Sequence, residues 1–237
     1  RTSIIARLAA AEKGQFQYSH LIRALTIGDH YGISEEEWLL FRNTGTSHLI
    51  VISGMHVALI ALVFYRLSSF LLSRSVRLCL WLPAPQLAAI AGLAGAWFYA
   101  GLAGNTLPVQ RAFVMVAVIF TGKLLRRQTA SSHGLCLALA LILLLDPLAP
   151  HNAGFWLSYC AVAVLLSIAD RTSSDLAELP WLERAWHTLR LEMRAQWQVF
   201  AGLLPLTYLF FQQLSLAAPL VNLLTIPFIG LLAVPLS

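Results

Sequence analysis

The sequence predicts an all-α fold: a polytopic transmembrane helical bundle of about seven membrane-inserted segments, with amphipathic interfacial helices. Three observations predict it. First, only 11% of the 237 residues are charged while 58% are hydrophobic, and mean hydropathy is +0.72. Soluble domains carry about 25% charged residues. Second, the apolar residues form continuous runs, which suit helices, not the ten-residue alternating segments of a barrel. Third, the basic residues alternate between loops in the way membrane orientation requires.

Taken in order, residues 1–47 are too polar to span. Ile4, Ile5, Leu8 and Ala11 form one amphipathic stripe, and Tyr18, Leu21, Ile22 and Leu25 a second. Ser34-Glu35-Glu36-Glu37 signals a helix start, with Ser34 as cap and Glu37 closing a capping box. This segment is expected on the periplasmic side, flat on the membrane or against the bundle. Apolar runs follow at 48–65, 86–103, 109–125, 133–149, 153–169, 198–211 and 218–237, which together with 170–197 make a 48–237 transmembrane core. Several are shorter than the roughly 20 residues of an upright span, so half-helices or tilt are expected. Trp97, Tyr99, Trp156 and Tyr159 stand near run ends, as interface aromatics do. The polar stretch 170–197 carries the stripe Trp181, Leu182, Ala185, Trp186 and Leu189 and reads as a cytoplasmic surface helix.

Loop charges orient the runs. Arg66, Arg74 and Arg77 follow the first, Lys123, Arg126 and Arg127 the third, and Arg171, Arg184, Arg190 and Arg194 the fifth. The opposite loops at 104–108, 146–152 and 212–217 hold no Lys or Arg. The first group is therefore cytoplasmic. The bases of residues 1–47, Arg1, Arg7, Lys13, Arg23 and Arg42, run against this layout. The chain begins at Arg1 without a signal-peptide pattern, and its last apolar run reaches Ser237; both fit a domain excised from a longer protein. Cys79, Cys136 and Cys160 show no C-x-x-C or Cys/His grouping and read as small core residues.

Polar groups at membrane depth are costly and usually have a task. Four constellations stand out. The first is Gly45-Thr46-Ser47-His48-Leu49-Ile50-Val51-Ile52-Ser53-Gly54-Met55-His56-Val57. His48 and His56 are about 80° apart on a regular helix, whereas Ser53 and His56 share a face. The pair is open to structural hydrogen bonding, to pore lining, or to nucleophilic catalysis lacking an evident acid. The second is Gly104-Asn105-Thr106-Leu107-Pro108-Val109-Gln110-Arg111-Ala112. Arg111 either snorkels to the outer interface or faces the path of a polyanion. Gly101 and Gly104 permit a tight turn around Asn105. The third is Asp146-Pro147 with Gly154-Phe155-Trp156-Leu157-Ser158-Tyr159. Asp146 can cap the next segment or pair with Arg111 or a histidine. Its aromatics suit interface anchoring or base stacking. The fourth is Pro219, Asn222 and Pro227, where prolines free carbonyls and Asn222 can satisfy them or line a cavity.

In this order the four constellations resemble the competence domain of the ComEC family. Gly45, Ser47-His48-Leu49, Ile52-Ser53-Gly54 and His56-Val57 match its G-x-S-H-L-x-x-I-S-G-x-H-V signature. Leu107-Pro108 with Gln110-Arg111-Ala112 resembles its arginine motif. Asp146-Pro147, Gly154-Phe155-x-Leu157-Ser158 and Pro219-x-x-Asn222 match later motifs. Thr46 and Met55 depart slightly from the leucines of many members. The resemblance implies an inner-membrane protein that passes one DNA strand from periplasm to cytoplasm in natural transformation. It also implies a periplasmic DNA receptor and an ATP-driven translocase as partners, since no P-loop occurs here. The family's β-barrel-like and metallo-β-lactamase-like domains are not visible, and no His-x-His-x-Asp signature is present, so no nuclease activity, catalytic residue, metal or cofactor is expected in this segment.

The expected function is thus a single-stranded DNA channel in the bilayer, with homo-oligomerisation open. His48, Ser53, Gly54, His56, Asn105, Arg111, Asp146, Trp156, Ser158 and Asn222 are its candidate lining. Two other classes fit the residues. A small-solute transporter with a broken-helix site would show solute-dependent stabilisation. An intramembrane hydrolase using Ser53 and His56 would take an activity probe on Ser53.

Overall fold

The computed structural model describes residues 20–21, 24, 32–50, 54–74, 83–104, 106–127, 131–169, 180–212, 215 and 217–228. The stripe at Ile4–Ala11, most of the second stripe, Ser53, Asn105, Cys79 and residues 170–179 and 229–237 lie outside these. Among the described residues every regular element is helical: α1 Glu35–Thr44, α2 Ser47–Ile50, α3 Gly54–Leu72, α4 Ala84–Leu102, α5 Leu107–Leu124, α6 Ser131–Leu145, α7 Ala153–Ala169, α8 Trp181–Phe211 and α9 Ala218–Phe228. A 3-10 turn at Ala149–His151 links α6 to α7.

Local chemistry sets the ends. At α1 the Glu37 N–H donates to Ser34 Oγ at 3.2 Å, and the Ser34 N–H donates to Glu37 Oε2 at 2.8 Å, completing the capping box the sequence predicts. Gly45 ends the helix at φ 72°, a left-handed position open to glycine without a Cβ penalty. Proline at the first turn starts α5, and Gly104 at φ 82° makes the turn before it. Asn152 Oδ1 accepts the Gly154 N–H at 2.8 Å and so caps α7.

Helix α3 packs on α4 and α5, α5 reaches on to α6, and α7 packs on α8, which meets α9. The α3–α4–α5 core is built from Val57, Ala61, Ala89, Ala96, Val116 and Phe120. Gly92 and Gly95 let the helices close. A Cβ on Gly95 would stand 2.7 Å from the Phe64 ring, and one on Gly92 3.0 Å from the Ala61 carbonyl oxygen. Small residues at such seams are how apolar helices associate without a solvent-driven force. A second core joins Ala138, Ile142, Phe155 and Tyr159.

The exterior is apolar: Leu144 is 79% exposed and Leu224 77%. Such a surface suits hydrocarbon and not water. Helices α3 and α5 are long and apolar enough to cross a membrane; α6 and α7 are apolar but shorter. The remaining segments of the seven-run layout rest on the sequence pattern.

Three expectations change. Residues 181–197 are not a separate surface helix: they run unbroken into the apolar run as the 31-residue α8, with Pro205 inside it. Tyr159 is not an interface aromatic but 4% exposed in the second core, its hydroxyl donating to the Ala138 carbonyl at 3.1 Å. Cys136 is exposed on the apolar exterior, not a core residue.

Candidate functional site

The site forms where α4 and α6 end and α5 and α7 begin. Helix α5 is its axis. One face of α5 sends Val109 and Val116 into the α3–α4 core. Ala112 meets Gly54 at the start of α3: a Cβ on Gly54 would stand 2.9 Å from the Ala112 Cβ. This contact joins the first constellation to the second. Arg111 joins the second to the third. Its Nη2 lies 3.1 Å from where a Cβ on Gly154 would be, as does Asn152 Oδ1. Glycine at 154 is therefore what admits the guanidinium to the α7 N-terminus. The fourth constellation meets the first at Gly45, which sits against Ala218, and the Ser215 hydroxyl donates to the Asn43 carbonyl.

Arg111 is 7% exposed, so it does not snorkel to water. Among the described residues its Nε has no hydrogen-bond partner. It lies within electrostatic range of Tyr159. It also lines a cleft of about 910 Å³ whose other polar residues are Gln110, Asp146, His151 and Asn152. Asp146 forms no ion pair with it. Instead Asp146 Oδ1 accepts the Leu148 N–H at 3.1 Å and caps the turn after α6. The remaining walls are largely apolar, from Trp97, Phe98, Leu102, Phe113 and Ile142 among others.

The other sequence candidates divide. His56 is fully buried, two residues beyond Gly54, and Asn222 is 9% exposed with an Oδ1 that finds no partner among the described residues. His48 is exposed on α2. Ser158 is spent on its own helix, donating to the Phe155 carbonyl at 3.0 Å. Trp156 is 41% exposed and donates to the Pro150 carbonyl at 2.9 Å, while Phe155 is buried. The three aromatics of the third constellation therefore do not form one stacking face. His151 and Asn152 escaped the sequence reading. The signal for Asn152 was present: an Asn directly before an apolar run is a helix start.

Away from this site, His20 Nε2 lies 2.9 Å from Glu37 Oε1. The Ser34 N–H, and then His20, hold the Glu37 carboxyl below its ordinary range. No group of three His, Cys, Asp or Glu side chains able to hold a metal occurs among the described residues.

The chain is an all-helical protein with an apolar exterior, two helices long and apolar enough to cross a membrane, and a buried arginine between its second and third polar motifs. Residues 25–237 match the family described as Competence protein, and the chain belongs to that family. It is 36% identical over 234 residues to Competence protein ComA of Neisseria gonorrhoeae, covering 98% of this chain and 31% of that one. It is 30% identical over 224 residues to Recombination protein 2 of Haemophilus influenzae, covering 91% of this chain and 27% of that one. It is 28% identical over 215 residues to ComE operon protein 3 of Bacillus subtilis, covering 88% and 24% respectively. The chain thus spans less than a third of the length of these relatives. No solved structure matches it.

Proposed function

We propose that this chain is the membrane-embedded part of a channel that passes single-stranded DNA from periplasm to cytoplasm. It would sit in the bacterial inner membrane with about seven inserted segments, the ends of α4 and α6 facing outward by the distribution of loop bases. The observation that carries this reading is Arg111: a buried arginine with an unsatisfied Nε among the described residues, opening onto a large cleft at that end. A phosphodiester needs such a donor, because a strand meeting only hydrocarbon would lose its hydration uncompensated. A single arginine attracts without trapping, since conduction requires binding weak enough to leave. His56 and Asn222, buried on α3 and α9, supply further polar groups toward the interior. A periplasmic DNA receptor and an ATP-driven translocase would complete the system.

The test is transformation of cells carrying Arg111→Ala or His56→Ala, with protein levels confirmed. Loss of a charge-assisted contact is worth about 1.5–3 kcal/mol, so Arg111→Ala should lower DNA uptake at least about tenfold. Wild-type uptake in both variants would refute the reading.

A further inference from the structure

The cleft is shaped for more than a strand. Its mouth is rimmed by Trp97, Phe98, Leu145 and Leu148, which are 67%, 61%, 75% and 70% exposed. It therefore opens sideways onto the apolar exterior. Its volume of about 910 Å³ is that of a small-molecule site. Among the described lining residues, Arg111 is the one Lys or Arg and Asp146 the one acid. The two form no ion pair, and Asp146 has its Oδ1 on the Leu148 N–H.

Apolar walls with one fixed cation and one separate anion complement a zwitterion carrying hydrocarbon chains. We propose that this cleft binds a zwitterionic phospholipid of the ethanolamine type, its phosphodiester on Arg111, its ammonium toward Asp146 and an acyl chain along Phe98, Leu102 and Ile142. A primary ammonium donates hydrogen bonds to a carboxylate, and a phosphate oxygen accepts them from a guanidinium. A DNA strand shares only the phosphodiester chemistry. It carries no ammonium for Asp146 and no hydrocarbon chain for the aliphatic part of the walls. The inference depends on the membrane-embedded placement but not on DNA passage. If both hold, the lipid occupies the mouth of the path until a strand displaces it.

The experiment reconstitutes the full-length protein in nanodiscs holding equal amounts of phosphatidylethanolamine and phosphatidylglycerol, then reads retained lipid by native mass spectrometry. The wild type should retain the ethanolamine lipid about tenfold over the glycerol lipid. Arg111→Gln should lose both, and Asp146→Asn should lose the preference alone. Gly101→Leu adds bulk to the cleft wall without a clash at its Cβ, which meets nothing within 4 Å. It should lose lipid about tenfold with an unchanged melting temperature, which separates occupancy from misfolding. Equal retention of the two lipids by the wild type, or wild-type retention by both Arg111→Gln and Gly101→Leu, overturns the inference. In a second arm the lipid is replaced by a short oligothymidylate. Arg111-dependent oligonucleotide binding with no lipid preference overturns the lipid site while upholding the DNA path. Lipid retention through Arg111 with no oligonucleotide binding upholds the lipid site and counts against the path.

Discussion

The two sides of α5 are built on opposite principles. Toward α3 and α4 the seam is closed: alanines and glycines bring backbones together, and added atoms meet Phe64, Phe120 or a carbonyl. Toward the ends of α4 and α6 and the turn at Ala149–His151, the first turns of the same helix carry a buried arginine and line an open cleft. The first side spends its residues on contact, the second on a vacancy with a charge in it. A helix can hold Arg111 at depth because the opposite face is locked by close association.

Inserting bulk at the closed seam should have the largest effect on stability. Gly95→Leu should destabilise by about 3 kcal/mol, seen as a lowered melting temperature of the solubilised protein. An unchanged melting temperature would mean that the seam is looser than its geometry. Gly45→Ala combines a left-handed φ with a collision against Ala218 and should cost about 2 kcal/mol. Tyr159→Phe removes the hydroxyl from the Ala138 carbonyl within the second core and should cost about 1 kcal/mol. On the open side the effect on stability should nearly vanish: Gly101→Leu should change it by less than about 0.5 kcal/mol. A large loss there would collapse the distinction between the two faces.

The pH dependence of α1 is the smallest effect. The Glu37 carboxyl is held below its ordinary range by the Ser34 N–H and then by His20. Its folded-state value is depressed relative to the unfolded chain. Its contribution is therefore full above the unfolded value and lost as pH falls through the folded one. Acid titration of the melting temperature should show this fall, and Glu37→Gln should flatten it.

Much of this was legible in the residues. The capping box at Ser34 is a local exchange of hydrogen bonds, so four residues suffice to read it. The start of α5 at Leu107 and the turn at Gly104 follow from Pro108 and a glycine. The motif residues were legible too, but the contacts between constellations were not: Gly54 meets Ala112, and Arg111 meets Gly154, only through tertiary association. The misreadings have physical causes. Hydropathy changes sharply near residue 197, which splits α8 in two on paper. The backbone sees no glycine or proline there, and continues to Phe211. Tyr159 lies near the end of a run, but α7 places it one turn beyond Phe155, on the inward face.

The seat of Gly45 on Ala218 and the Ser215 to Asn43 hydrogen bond bind chain segments 172 residues apart. The α3–α4–α5 seam, by contrast, involves consecutive helices. A chain synthesised from its N-terminus can therefore close the seam early. The α1 segment must wait for the last described helix before it docks. The clasp between the first and fourth constellations cannot form before Ala218 has been made. A truncation before Ala218 would leave the cleft's own walls in place and that clasp undone.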